Sequence, residues 1–160
     1  RRQRQMCIRD RFIINQMNKA LDKGAKKMID ENKFHFPKEH KNYLVPQILT
    51  NVTHEMDFMT EETFGPCVGI MKVSNENEAV KLMNDSPYGL TASIWTNDVE
   101  IAEKIGNQVQ TGTFFMNRCD YLDPALSWTG VKETGKGCSL SEIAYEKLTA
   151  PKSFHLRKGQ

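Results

Sequence analysis

The sequence contains no run of about 18 apolar residues, so it offers nothing of the length that a membrane-spanning helix needs. Its four cysteines, Cys7, Cys67, Cys119 and Cys138, form neither a C-x-x-C pair nor the framework of a small secreted domain. Reduced thiols in a cytosolic protein, or one of an organelle matrix, are expected. Histidine is equally scarce. His35 and His40 stand five apart in "HFPKEH", but Pro37 interrupts them and no second ligand pair follows, so no metal is expected. Neither sign of charge dominates, with 22 basic and 20 acidic residues and a net of +2. Five of the arginines sit in the opening "RRQRQMCIRDR", against one acid and without a helical or strand period. That stretch reads as a non-native leader with no apolar signal-peptide core, and residues 1–11 are set aside. Without them the chain has 17 basic and 19 acidic residues, which removes the argument for nucleic acid as a partner. An Arg-rich binding arm is the alternative.

What is present is globular. The 160 residues suffice for about one domain with a real core, at 39% hydrophobic and 26% charged. In "RFIINQMNKALDKGAKKMIDEN", Ile14, Met17, Leu21, Ala25 and Met28 fall at steps of three and four and predict one helical face. "FHFPKEHKNY" is a polar connection, and "YLVPQILTNV" reads as extended chain broken by Pro46. "VGIMKV" (68–73), "LTASIW" (90–95) and "GTFFMN" (112–117) have strand character. Between them "SNENEAVKLMNDS" predicts a helix with Ser74 or Asn75 as cap and an edge of Ala79, Leu82 and Met83. "NDVEIAEKIGNQV" predicts another, with Asn97 and Glu100 at capping-box spacing and Ile101, Ile105 and Val109 aligned. Strands alternating with helices across short joints predict an α/β fold with right-handed crossovers in a parallel sheet.

Residues 118–138 carry glycine and proline breaks without a period and read as a long loop, of the kind that is usually functional or disordered. A capping box, Ser139–Glu142, then starts a last helix, and "KSFHLR" (152–157) alternates like an edge strand suited to pairing with another subunit.

Four motifs in order carry a resemblance. "EETFGP" (61–66), "NDSPYGL" (84–90), "GTFFMN" (112–117) and "TGVKETGKG" (129–137) resemble segments of the C-terminal third of aldehyde dehydrogenases, and the likeness covers about residues 12–157. It implies an incomplete Rossmann-like catalytic domain over 12–138 with its substrate loop at 118–138, and a helix and oligomerisation strand over 139–160. It also implies NAD or NADP as cofactor, an aldehyde substrate, and a homodimer or homotetramer. Glu62 matches the glutamate that accepts from the nicotinamide ribose hydroxyls, a task suited to two carboxylate oxygens. Phe64 matches the aromatic beside the nicotinamide, while Glu61 reads as a solvated charge and Gly65-Pro66 as a tight turn.

Tyr121 and Trp128 match side chains that touch the aldehyde, and the other reading is a surface loop with two buried aromatics. Asp120 and Asp123 would favour an aldehyde bearing a cation, although "SWTG" (127–130) departs from the commoner P-F-G-G pattern. Cys67 opens an apolar strand, where a thiol pKa should rise, so it reads as core filler. Cys119, in the substrate loop, reads as passive. The resemblance puts the family's nucleophilic cysteine, glutamate base and oxyanion asparagine upstream, so no catalytic residue is assigned and the chain alone is expected to be inactive. The alternative is a noncatalytic oligomerisation module on the same fold.

Overall fold

A computed structural model describes residues 2–35, 43–119 and 121–159, with only the helical backbone described for residues 2–7. Pro37, His40 and Asp120 lie outside the described residues. The chain divides into two units, Arg1–Ser74 and Asn75–Gln160.

The first unit begins with helix α1 (Arg2–Asp22), which starts nine residues upstream of the predicted helix. No glycine or proline interrupts residues 2–22, and Arg, Gln and Met are strong helix formers. Its far end is set by Gly24, at φ 100°. The amide of Ala25 donates to the Ala20 carbonyl at 3.0 Å and that of Gly24 to Leu21 at 2.9 Å, closing a Schellman motif. The helical face therefore stops short of Ala25 and Met28, contrary to the predicted stripe. Ala25 is still buried as the apolar residue after the cap, while Met28 is exposed. The buried face also turns toward Ile13, Met17 and Ala20, leaving Ile14 outside.

After α1, β1 (Lys26–Lys27) runs antiparallel to β2 (Gln47–Thr50), and β2 runs parallel to β3 (Cys67–Gly69). Between β2 and β3 lies the short helix α2 (Asp57–Thr60). Leu49, fully buried, and Val52, Met56 and Phe58 join the α1 face in one core. Gln47 is buried yet satisfied: its Oε1 accepts from Ile29 N at 2.9 Å and its Nε2 donates to Ile29 O at 3.0 Å.

The second unit opens with α3 (Glu76–Asn84), capped by Asn75, whose Oδ1 accepts from Glu78 N at 3.0 Å. The strand β4 (Tyr88–Gly89) and then β5 (Thr91–Ile94) follow. Helix α4 (Val99–Gly106) connects β5 to β6 (Thr113–Met116), which pairs with β5 in parallel. The cap of α4 is Asp98, accepting from Ile101 N at 3.0 Å, and not Asn97. Asp98 directly precedes the first helical residue, and its own amide is held by Thr96 Oγ1 at 3.1 Å. Val80, Ile105 and Val109 form a second core with Ala92, Ile94, Ile101 and Phe114 around them. Of the predicted α3 edge, Ala79 and Leu82 are half-buried and Met83 is exposed, because Val80 takes the inward position.

The fold is thus mixed α/β, an incomplete Rossmann-like arrangement with small parallel and antiparallel sheets. The strand predicted at 68–73 is shorter and pairs with β2, not with β5 and β6. Loop 118–138 also holds more order than predicted. The strand β7 (Trp128–Thr129) pairs with β9 (Cys138–Ser139), and β8 (Val131–Lys132) pairs with β4, all antiparallel. This pairing removes the predicted capping box, since Ser139 belongs to β9 and its Oγ donates to the Trp128 carbonyl at 3.5 Å. The last helix, α5 (Ile143–Leu148), starts without a side-chain cap. Residues 149–159 follow it exposed and without strand pairing, Phe154 and Leu156 included.

Candidate functional site

The turn after α2 presents Glu62 and Phe64. Glu61 N closes α2 by donating to Asp57 O at 2.9 Å. The chain then leaves the helix, and Phe64 adopts φ 43°, in the left-handed region that costs a non-glycine residue about 1–2 kcal/mol. Pro66 O accepts from Gln47 N at 2.9 Å and delivers the chain into β3. Gly65 lies where a Cβ would overlap the side chain of Ile13, so its lack of one lets α1 approach the turn. Glu62 is exposed, and Phe64 keeps 73% of its surface open. The Arg9 guanidinium lies 5.4 Å from the Phe64 ring centroid and donates to the Glu62 backbone carbonyl at 3.2 Å, which leaves the Glu62 carboxylate out of that contact. Glu61 is exposed, as expected of a solvated charge, and its carboxylate also accepts a long 3.4 Å bond from the buried amide of Gln16. At the head of β3, burial raises the Cys67 thiol pKa, in the direction predicted for a filler and opposite to what a thiolate nucleophile requires.

In the second unit two of the four motifs prove to be each other's partners. Lys132, from "TGVKETGKG", donates through Nζ to the carbonyls of Asn84 at 2.8 Å and Ser86 at 3.0 Å, which belong to "NDSPYGL". Thr134 Oγ1 accepts from Gly89 N at 2.7 Å. Asn84 itself reaches the end of α4, donating to Gln108 O and accepting from Gln110 N, both at 2.8 Å. Asn117, at φ 53°, closes "GTFFMN" by bonding both the amide and the carbonyl of Thr96. These ties fix the start of loop 118–138 and a point in its second half.

Within that loop Tyr121 and Trp128 line one cavity of about 200 Å³ with Phe114, Phe115, Met116 and Leu126. The structure thus brings together the two aromatics singled out in the sequence. Trp128 is half-buried in β7, and Tyr121 is 53% exposed, so the pair is not a buried one. The sequence reading missed Arg118 in the same lining, whose guanidinium sits 3.9 Å from the Tyr121 ring centroid. An arginine three residues before a loop aromatic was the available signal. Arg118 alters the charge reading: Asp123 shares the lining with a cation, and its Oδ1 already accepts from Ala125 N at 2.9 Å. A preference for a cationic aldehyde does not follow from that geometry. Among the described residues no three His, Cys, Asp or Glu side chains gather as metal ligands, and no helix is long and apolar enough to cross a membrane.

Residues 9–154 match the model of the aldehyde dehydrogenase family. The chain belongs to this family. An aldehyde dehydrogenase of Emericella nidulans is 35% identical over 117 residues, covering 73% of this chain and 24% of that protein. Among solved structures, the Mycobacterium tuberculosis aldehyde dehydrogenase complexed with NAD+ superimposes with a TM-score of 0.82 at 30% identity, over 97% of this chain and 32% of that one. A succinic semialdehyde dehydrogenase from Streptococcus pyogenes in complex with NADP+ gives 0.77 at 31% identity, over 86% and 30%. The chain spans about a quarter of the length of the curated relatives it matches.

Proposed function

We propose that this chain is part of an NAD(P)-dependent aldehyde dehydrogenase that oxidises an aldehyde to a carboxylic acid through a cysteine thioester, with the nucleophile and the base in the remainder of a longer protein. The observation that carries this is the 61–66 turn: a carboxylate and a large aromatic, both exposed, the aromatic at a left-handed backbone angle. Backbone strain that orders an exposed side chain is a feature of ligand clamps. A carboxylate with both oxygens available suits the paired hydroxyls of a ribose, and Phe64 supplies a flat apolar wall for the nicotinamide ring. The cofactor, when bound, accepts the hydride from the substrate.

Tyr121 and Trp128 line the aldehyde, excluding water from it by their apolar faces. Both NAD and NADP stay within the proposal, as the two solved relatives differ in this respect. The missing nucleophile is supported by the sequence, where none of the four cysteines stands in an F-x-x-x-G-Q-x-C context. We further propose a cytoplasmic homo-oligomer in which residues 152–157 pair with another subunit, and the arginine-rich residues ahead of the family match, which begins at residue 9, as a non-native leader.

The test is Glu62→Ala in the full-length protein. Loss of the two ribose contacts is expected to weaken cofactor binding about tenfold or more, as charge-assisted hydrogen bonds contribute about 1.5–3 kcal/mol each. Unchanged cofactor affinity and hydride transfer would remove Glu62 from the site.

A further inference from the structure

We infer that α1 positions the 61–66 turn through a polar stripe, and that Gln16 is a positioning residue for Glu62; the inference deepens the cofactor reading above and rests on it. Gln16 is only 2% exposed and lies on the α1 face that otherwise buries Ile13, Met17 and Ala20. Its Nε2 donates to the Glu61 carboxylate at 3.4 Å, a long bond, and its Oε1 is buried without a partner among the described residues. A buried amide left half-satisfied is costly to the fold. A methionine of similar size would complete the apolar face without an orphaned oxygen. Packing alone therefore gives no reason for an amide at this position. The tie to Glu61 does.

The same side of α1 carries two further ties. Lys19 Nζ meets Asp57 Oδ2 at 2.9 Å, and Lys23, just past the helix end, donates through Nζ to the Glu55 carbonyl. Positions 16, 19 and 23 follow one side of a helix at steps of three and four. They grip residues 61, 57 and 55, so that α2 is held along its length. At the other end of the turn Ile13 packs against Gly65, where any side chain would collide with it. One helix thus fixes the turn at residue 61 and at residue 65, and the two exposed side chains, Glu62 and Phe64, lie between those points. Gln16 sets the position of Glu61, and with it the direction in which the next carboxylate faces.

The experiment uses the full-length protein and the variants Gln16→Met, Glu61→Ala, Glu61→Gln and the Gln16→Met/Glu61→Ala double, with Glu62→Ala as reference. The readouts are Kd for NAD+ and NADP+ and the Tm without cofactor. Gln16→Met and Glu61→Ala should each weaken binding by about fivefold, and the double should be no weaker than either, since both remove one shared contact. Glu61→Gln keeps an acceptor oxygen for Gln16 and should bind like the parent. The Tm of Gln16→Met should stay level or rise. An unchanged Kd for Gln16→Met, additive losses, or a loss that tracks a falling Tm would overturn the inference. If Gln16→Met does not fold, the exposed Glu61→Ala and Glu61→Gln pair decides: equal affinities would overturn it. Glu62→Ala separates the two layers. If it leaves Kd unchanged, the cofactor reading fails; if it weakens binding and Gln16→Met does not, only the positioning role fails.

Discussion

The two segments that carry the candidate residues are held in opposite ways. The 61–66 turn makes little structure of its own and leans on side chains from one helix: Gln16 on Glu61, Ile13 on Gly65. The 118–138 loop is built on main-chain pairing, through two-residue ladders to β4 and within itself and backbone bonds such as Leu126 N to Asp123 O at 3.0 Å, with side-chain ties such as Thr129 Oγ1 to Gly137 O at 2.7 Å added to them. Side-chain supports can yield by rotating, whereas main-chain supports yield only by moving an element. The turn should therefore tolerate substitution and change its aim, while the loop should resist until it fails.

Paired glycine substitutions give the largest contrast. A Cβ at Gly112 would fall on the carbonyl of Thr129 and close to Gly130 N, all backbone. Gly112→Ala should cost about 3 kcal/mol, the upper part of the usual range for overpacking. Denaturant unfolding of the full-length protein measures it, and a loss below about 1 kcal/mol would show that the loop yields as easily as the turn. Gly65→Ala meets only the flexible end of Ile13. It should cost about 1 kcal/mol in the same assay while weakening cofactor binding, because Ile13 must swing away from the turn.

The smallest expected effect is electrostatic and belongs to the turn alone. The hydrogen bond from Lys19 lowers the Asp57 pKa below 3.8, and the same bond raises the Lys19 pKa above 10.5. A depressed carboxylate gives stability that is present above its unfolded pKa and lost as pH falls through the lower folded value. A raised lysine gives stability that is present below its unfolded pKa and lost as pH climbs through the higher folded value. Both groups are exposed, so the gain is small and screened by salt. Lys19→Met should flatten the fall in Tm below pH 4 relative to the parent at low salt, and a fall as steep as the parent's would remove this pair from the support of α2.

How far the sequence carried depended on what decides each feature. Helices α3 and α4 were readable because local rules govern them. Asn75 caps α3, and Ile101, Ile105 and Val109 share one face of the α4 segment. The end of α1 was misread because the stripe continues through Ala25 and Met28 by spacing alone, while Gly24 stops the helix. Which sheet a strand joins is a matter of distant pairing, so β3 could not be assigned to β2 from its own residues. Ser139 looked like a cap because spacing does not show that its hydroxyl is already bonded to Trp128 O.

The same limit applied to the candidate site. The resemblance picked out Glu62, Phe64, Tyr121 and Trp128, and the structure puts the first two on one exposed turn and the other two on one cavity. Gln16 and Arg118 were missed because each matters only through a partner brought to it by folding, Glu61 in one case and the Tyr121 ring in the other. Neither residue belongs to a motif.

The most direct measurement is the coding sequence upstream of Phe12, read from genomic DNA. It should continue in frame into a region that supplies a cysteine in an F-x-x-x-G-Q-x-C context and a glutamate base, with no arginine-rich "RRQRQMCIRDR" ahead of Phe12. A gene that instead starts with those arginines would contradict the proposal that the chain works as part of a longer aldehyde-oxidising enzyme.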